Sequence, residues 1–191
     1  MNAILCMSSN LDGRYGMVDE KIIKIFDNVN DLQKFAEAKN GAILALNSAV
    51  LLALLSIFID KYIQLNIVSK IYLSQMFLYL LASVIVSLIS LMPRLSFNEK
   101  PKKYIKNENF LFFMNLADYK VNRVLFEISG ENKRKGFSKF QKNIARQAII
   151  NSRITRYKFR MSSVAIICSL SAIFTPLITY PVYFIEKRKH D

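Results

Sequence analysis

The sequence predicts an all-α membrane protein: about three transmembrane helices plus a small cytoplasmic helical bundle. Three observations predict it. Three long stretches carry no charge, Lys and Arg gather in the segment before the last of them, and the polar stretches repeat apolar residues at helical spacing. The uncharged runs total 66 of 191 residues, more than the charged remainder could cover as a soluble core.

Residues 1–40 read as an N-terminal cytoplasmic amphipathic helix. Met1–Asn10 is weakly apolar but has no basic n-region, so no secretory leader is expected. Asp19 is the expected N-cap, because a short carboxylate can accept from the orphan N–H groups of a first turn. Ile22, Ile25, Phe26, Val29, Leu32 and Ala36 then recur at three- and four-residue steps, which stacks them on one face. No proline separates this stretch from Gly41, so a charged helix is expected to run into an apolar one.

Gly41–Ile59 is the first span: its 19 uncharged residues reach about 28 Å as a helix, close to the thickness of a hydrocarbon core. Residues 60–70 are a short periplasmic hairpin. Residues 71–92 are the second span, and residues 161–185 the third. Pro176 and Pro181 fall in the third, and a full, kinked span is expected there, with a helix that breaks and re-enters as the alternative. Residues 186–191 are a tail.

Charge sets the orientation. Residues 93–160 hold 17 Lys and Arg against five Asp and Glu, net +12 of the chain's +13. The positive-inside rule places that segment, and with it the N-terminus, in the cytoplasm. The simplest partner for such charge beside membrane spans is anionic lipid. No groove-reading motif or zinc spacing accompanies it, so nucleic acid is not an expected partner.

Within the spans, Asn47 and Gln75 are the polar residues that call for partners. Ser83 with Ser87, and Ala165 with Ser169, form small-xxx-small pairs that let helices approach closely. Interhelical packing is the favoured role for these groups; a polar pore lining is the other. Cys6 and Cys168 suggest no disulfide framework.

The basic segment divides into an aromatic stretch, Asn107–Ile128, a polar turn, Ser129–Gly136, and a further helix, Phe137–Arg160. Asp118 and Glu127 are read as ordinary ion-pair partners. Asn143, Gln147, Asn151 and Thr155 step by four residues along the last helix, flanked by Arg146 and Arg153. Two readings stand: hydrogen bonds between helices, or a ligand face in which amides read a base edge and arginine pairs with phosphate. No phosphate loop, metal-ligand cluster or nucleophile set is present, so no catalytic residue, metal or cofactor is expected.

The passages "AEAKNGAILALNSAVLLALL", "PRLSF", "NFLFFMNLADY" and "QAIINSRITRYKFRMSSVAI" follow one another in an order and spacing that resembles the transmembrane effectors of Pycsar, a bacterial anti-phage system. The resemblance extends over roughly residues 20–185; the SLATT membrane proteins of phage defence are the nearest confusable family. It implies a multi-pass protein of the bacterial inner membrane that binds cyclic CMP or cyclic UMP from a partner cyclase and then disrupts the membrane. On that reading the candidates for nucleotide contact are Arg146, Gln147, Asn151 and Arg153, with Phe112 or Phe113 as a stacking surface and Lys39 and Arg94 as a second phosphate anchor; a homo-oligomer is expected because three thin helices hardly enclose a pore alone. The alternative is a nucleotide-independent small channel or scaffold of SLATT type.

Overall fold

A computed structural model describes residues 2–61, 65–93, 109–130 and 136–190. Five helices follow in order: α1 Asn2–Lys61, α2 Ile67–Leu91, α3 Phe113–Leu116, α4 Val121–Ser129 and α5 Lys139–His190. No strand occurs among the described residues. Three of the helices, α1, α2 and α5, contain stretches long and apolar enough to cross a membrane. The protein is thus an all-α membrane protein.

The chain divides into two compact units. The charged unit is Met1–Phe35 with Arg94–Tyr157, and the apolar unit is Ala36–Pro93 with Lys158–Asp191. Both α1 and α5 contribute to each.

In the charged unit, Ile22 and Val29 of α1 are buried seven residues apart. On α5 the buried groups are Gln141, Ala145, Ala148, Ser152 and Thr155 along one stripe, with Ile149, Ile154 and Arg156 beside it. Two hydrogen bonds fix the pairing of these helices. Gln141 Nε2 donates to Asp19 Oδ1 at 2.8 Å, and Asn151 Nδ2 donates to Asn30 Oδ1 at 2.7 Å. Eleven residues separate the α1 partners and ten the α5 partners, so within this unit the two helices run parallel and nearly in register. The core is completed by Phe113, Leu116, Ala117 and Tyr119 at and just after α3 and by Val124, Leu125 and Ile128 of α4.

Asp19 therefore is not an N-cap. The helix begins far upstream, and the Asp19 carboxylate serves as an acceptor for α5 instead. The cap that does form is at Ser138. Its Oγ accepts from the Gln141 backbone N–H at 3.1 Å, while Gln141 Oε1 accepts from the Ser138 N–H at 3.0 Å. This is a capping box, which satisfies two orphan donors at once.

The aromatic stretch is not one helix. Asp118 N–H bonds to Asn115 O and Tyr119 N–H to Leu116 O, closing tight turns after α3. Lys120 is extended at φ −89°, ψ 145°, and α4 starts beyond it. Gly130 ends α4 at φ +65°, a left-handed value that favours a residue without Cβ. α2 begins at Ile67, earlier than the first apolar residue of the hydropathy run, because Lys70 N–H already closes a turn on Asn66 O at 3.0 Å. α5 stays helical through Pro176 and Pro181 to His190.

In the apolar unit α1, α2 and α5 meet along a polar seam. Asn47 Nδ2 donates to Ser83 Oγ at 2.7 Å and to Ser169 Oγ at 2.8 Å. Ser83 and Ser169 in turn donate to Ala165 O at 2.7 and 2.9 Å. One level away, Asn40 Nδ2 donates to Ser90 Oγ at 2.5 Å and to Lys158 O at 3.5 Å. The two levels differ by seven residues on every helix: 40 and 47, 90 and 83, 158 and 165. A seven-residue step keeps one seam facing inward over two helical turns. Beyond the Asn47 level, Leu54, Leu80 and Ala172 form an apolar cluster backed by Met76 and Tyr79. The outer faces carry Leu46, Leu52, Leu78 and Ile167, each more than 60% exposed, which suits a lipid surround. Asn47 is thus used in packing.

Hydrogen bonds between membrane helices are worth less than their burial suggests. A double-mutant cycle on Asn47→Ala and Ser83→Ala should give a coupling of about 0.6 kcal/mol, below about 1.7 kcal/mol, in detergent titration of unfolding.

Candidate functional site

The candidate site lies on α5 within the charged unit. Helix geometry decides which of its residues reach the surface. A step of four residues overshoots a full turn by about 40°, so three such steps rotate a stripe by about 120°. Asn143 and Gln147 are accordingly exposed, Asn151 is half-buried and Thr155 is fully buried. The expected polar stripe thus starts at the surface and ends in the core.

The middle of that stripe is a hydrogen-bonded chain. Gln147 Nε2 donates to Asn151 Oδ1 at 3.0 Å, and Asn151 donates onward to Asn30 of α1. Arg146 is exposed beside it. Arg153, two turns further along and half-buried, donates from Nε to Ala117 O at 2.8 Å. That bond fixes one edge of the guanidinium plane against the turn that follows α3. The structure therefore brings Gln147 and Asn151 into direct contact and ties Arg153 to the aromatic stretch.

The two aromatic candidates part company. Phe113 is buried in the core, 8% exposed, whereas Phe112 is 47% exposed. Their rings meet edge to face with centroids 5.2 Å apart, so Phe113 supports the ring that Phe112 presents. Lys39 belongs to the apolar unit, and Arg94 lies outside the described residues.

One residue built deeply into this region was not singled out by sequence reasoning. Arg156 reaches Asp118 with both terminal nitrogens, Nη1 to Oδ2 at 2.7 Å and Nη2 to Oδ1 at 3.1 Å. Nη1 also donates to Met114 O at 3.2 Å. The Arg156 side chain is 7% exposed and that of Asp118 is 21% exposed. A bidentate pair of this kind holds the α3 turn on α5 with fixed geometry. The available signal was Asp118 itself, a lone acid among aromatic residues, read as an ion-pair partner but without its arginine. Glu127, read the same way, pairs with Arg123 at 2.6 Å. On α1, the hydrogen bond from Lys24 and then its charge hold the exposed Glu20 carboxyl below its usual range. That interaction is present above the ordinary carboxylate pKa and fades as pH falls through the lowered one. Among the described residues, no group of three His, Cys, Asp or Glu could hold a metal ion.

Breaking the Asp118–Arg156 pair leaves a charge with little access to water. Arg156→Met should destabilise the charged unit by about 3 kcal/mol. Arg123→Ala, which removes an exposed pair, should cost less than about 1 kcal/mol. Denaturant unfolding in detergent, followed by helical circular dichroism, measures both.

No curated protein and no solved structure matches this chain. The family model for the Pycsar effector protein domain, PycTM, matches residues 21–185, which takes in the buried faces of α1 and α5, all of α2 to α4 and the candidate site. The chain therefore belongs to the Pycsar effector family, the membrane effectors of an anti-phage system.

Proposed function

We propose that the charged unit binds a cyclic pyrimidine mononucleotide, cyclic CMP or cyclic UMP, made by a partner cyclase, and that binding licenses the apolar unit to breach the bacterial inner membrane. The observation that carries this reading is the juxtaposition on α5 of exposed Arg146 and Gln147 with Asn151, in a chain of the Pycsar effector family. Such a ligand has one phosphate charge and one base edge. Arg146 and Arg153 supply guanidinium donors for the phosphate, Gln147 and Asn151 supply amides for the base edge, and Phe112, backed by Phe113, supplies a stacking face. Lys39 and Arg94 are a separate candidate phosphate anchor. The protein is a multi-pass homo-oligomer in this reading, with the N-terminus and the +12 segment in the cytoplasm.

Gln147, Asn151 and Asn30 already satisfy one another in part, so the ligand acts by favouring one of two arrangements of this network. It can shift that balance only by its difference in affinity for the two. Membrane damage on detection of infection then halts the cell before phage mature.

A second reading has a specific observation behind it. The bonds of Asn151 to Asn30 and of Arg153 to Ala117 are also what a purely structural helix junction would make. In that case the protein is a nucleotide-independent channel or scaffold.

Calorimetry on the full chain in detergent separates them. The wild type should bind cyclic CMP or cyclic UMP, and Arg146→Ala and Asn151→Ala should each weaken binding by roughly ten- to a hundredfold, the worth of a charge-assisted contact. Unchanged affinity in both variants moves the site elsewhere, and no binding by the wild type favours the second reading. Nucleotide-triggered dye leakage from vesicles tests the membrane step.

A further inference from the structure

The seam of the apolar unit contains more hydrogen-bonding capacity than its packing uses. Asn40, Ser87 and Ser162 are all fully buried, yet Asn40 Oδ1, Ser87 Oγ and Ser162 Oγ have no protein partner. Ser87 lies between Ser83 and Ser90 on α2, and Ser162 lies between Lys158 and Ala165 on α5. The spare groups therefore fall between the Asn40 and Asn47 levels. Polar groups continue along the seam for about 10 Å, the rise of seven residues. Buried polar atoms without protein partners are where water binds in protein interiors.

The column ends abruptly. About two turns beyond Asn47, the seam position on α1 is Leu54, clustered with Leu80 and Ala172, which are 6%, 2% and 0% exposed. An apolar constriction next to a hydratable passage blocks ions by excluding water from a short length of the path.

We propose that the polar seam is a path for water and small cations, and that the Leu54–Leu80–Ala172 cluster is its gate. This rests on the membrane-breaching function proposed above and assigns it to a surface. Separating the helices at the cluster lets water join the two ends. In the closed state the asparagines spend their donors on neighbouring helices; in the open state they spend them on water and ions.

The test is potassium efflux from phosphatidylethanolamine–phosphatidylglycerol vesicles containing the full chain. Without any nucleotide, Leu80→Ser should raise efflux roughly tenfold over wild type, because one hydroxyl lets water enter the constriction. Ala172→Ser, a smaller change at a fully buried position, should do the same and guards against a variant that fails to fold. Leu80→Val should stay as tight as wild type, since it loosens packing without adding polarity. Adding Asn47→Leu to Leu80→Ser should return efflux to the wild-type rate. Both serine variants staying tight, or Leu80→Val leaking as fast as Leu80→Ser, overturns the gate. Cyclic CMP and cyclic UMP are added to wild type in parallel. Leaky serine variants beside an unresponsive wild type support the gate and count against nucleotide control. A responsive wild type beside tight serine variants does the reverse.

Discussion

The constraint on which the structure rests is close approach along α5. Its buried positions include Ala145, Ala148, Ser152, Thr155, Ser162, Ala165 and Ala172, and the few larger buried side chains are mostly hydrogen-bonded or ion-paired. Small side chains bring a neighbouring backbone within reach, and that is what makes carbonyl groups available as acceptors. Ser83 can reach Ala165 O, and Asn40 can reach Lys158 O, because no bulk intervenes. In lipid there is no general hydrophobic pressure to drive helices together, so this contact has to come from packing and polar pairing. Replacing the stripe with leucines would make each helix more apolar and the bundle less specific.

The same helix works by different means in the charged unit. There its large polar residues do the positioning. Gln141 closes the helix start and holds Asp19, Asn151 meets Asn30, and Arg156 clamps Asp118. These are directional contacts, and they leave Arg146 and Gln147 at the surface of a well-tied helix, with Phe112 exposed at the start of α3. Lys158, at the edge of the apolar unit, is buried yet paired with Glu37, which keeps its charge tolerable there.

Much of this was legible in the sequence, for physical reasons that differ by element. The three apolar helices were legible because hydrocarbon thickness imposes a length, and each of the three uncharged runs meets it. Asn47 was legible as a packing residue because an amide in lipid must find a partner. Asp19 was misread, since its neighbours look like a helix start and only its distant partner Gln141 reveals otherwise. The break within the aromatic stretch was not visible in the sequence, because the turn at Ala117–Lys120 is made by backbone bonds and by a clamp from Arg156, 38 residues away. The tilt of the polar stripe into the core was implicit in its four-residue step, but where it meets the core depends on α1, which periodicity cannot place. Long-range partners are the common factor in what stayed hidden.

Those partners also govern when the molecule can be completed. Asp19 and Gln141 are 122 residues apart in the chain, as are Asn47 and Ser169, and Asn30 and Asn151 are separated by 121. Each of these pairs joins α1 to a helix made more than a hundred residues after it. During synthesis α1 and α2 leave the ribosome without α5, and neither unit can close until α5 arrives. The chain thus has no finished half to act early, and a ribosome that stalls before α5 releases neither unit in working form.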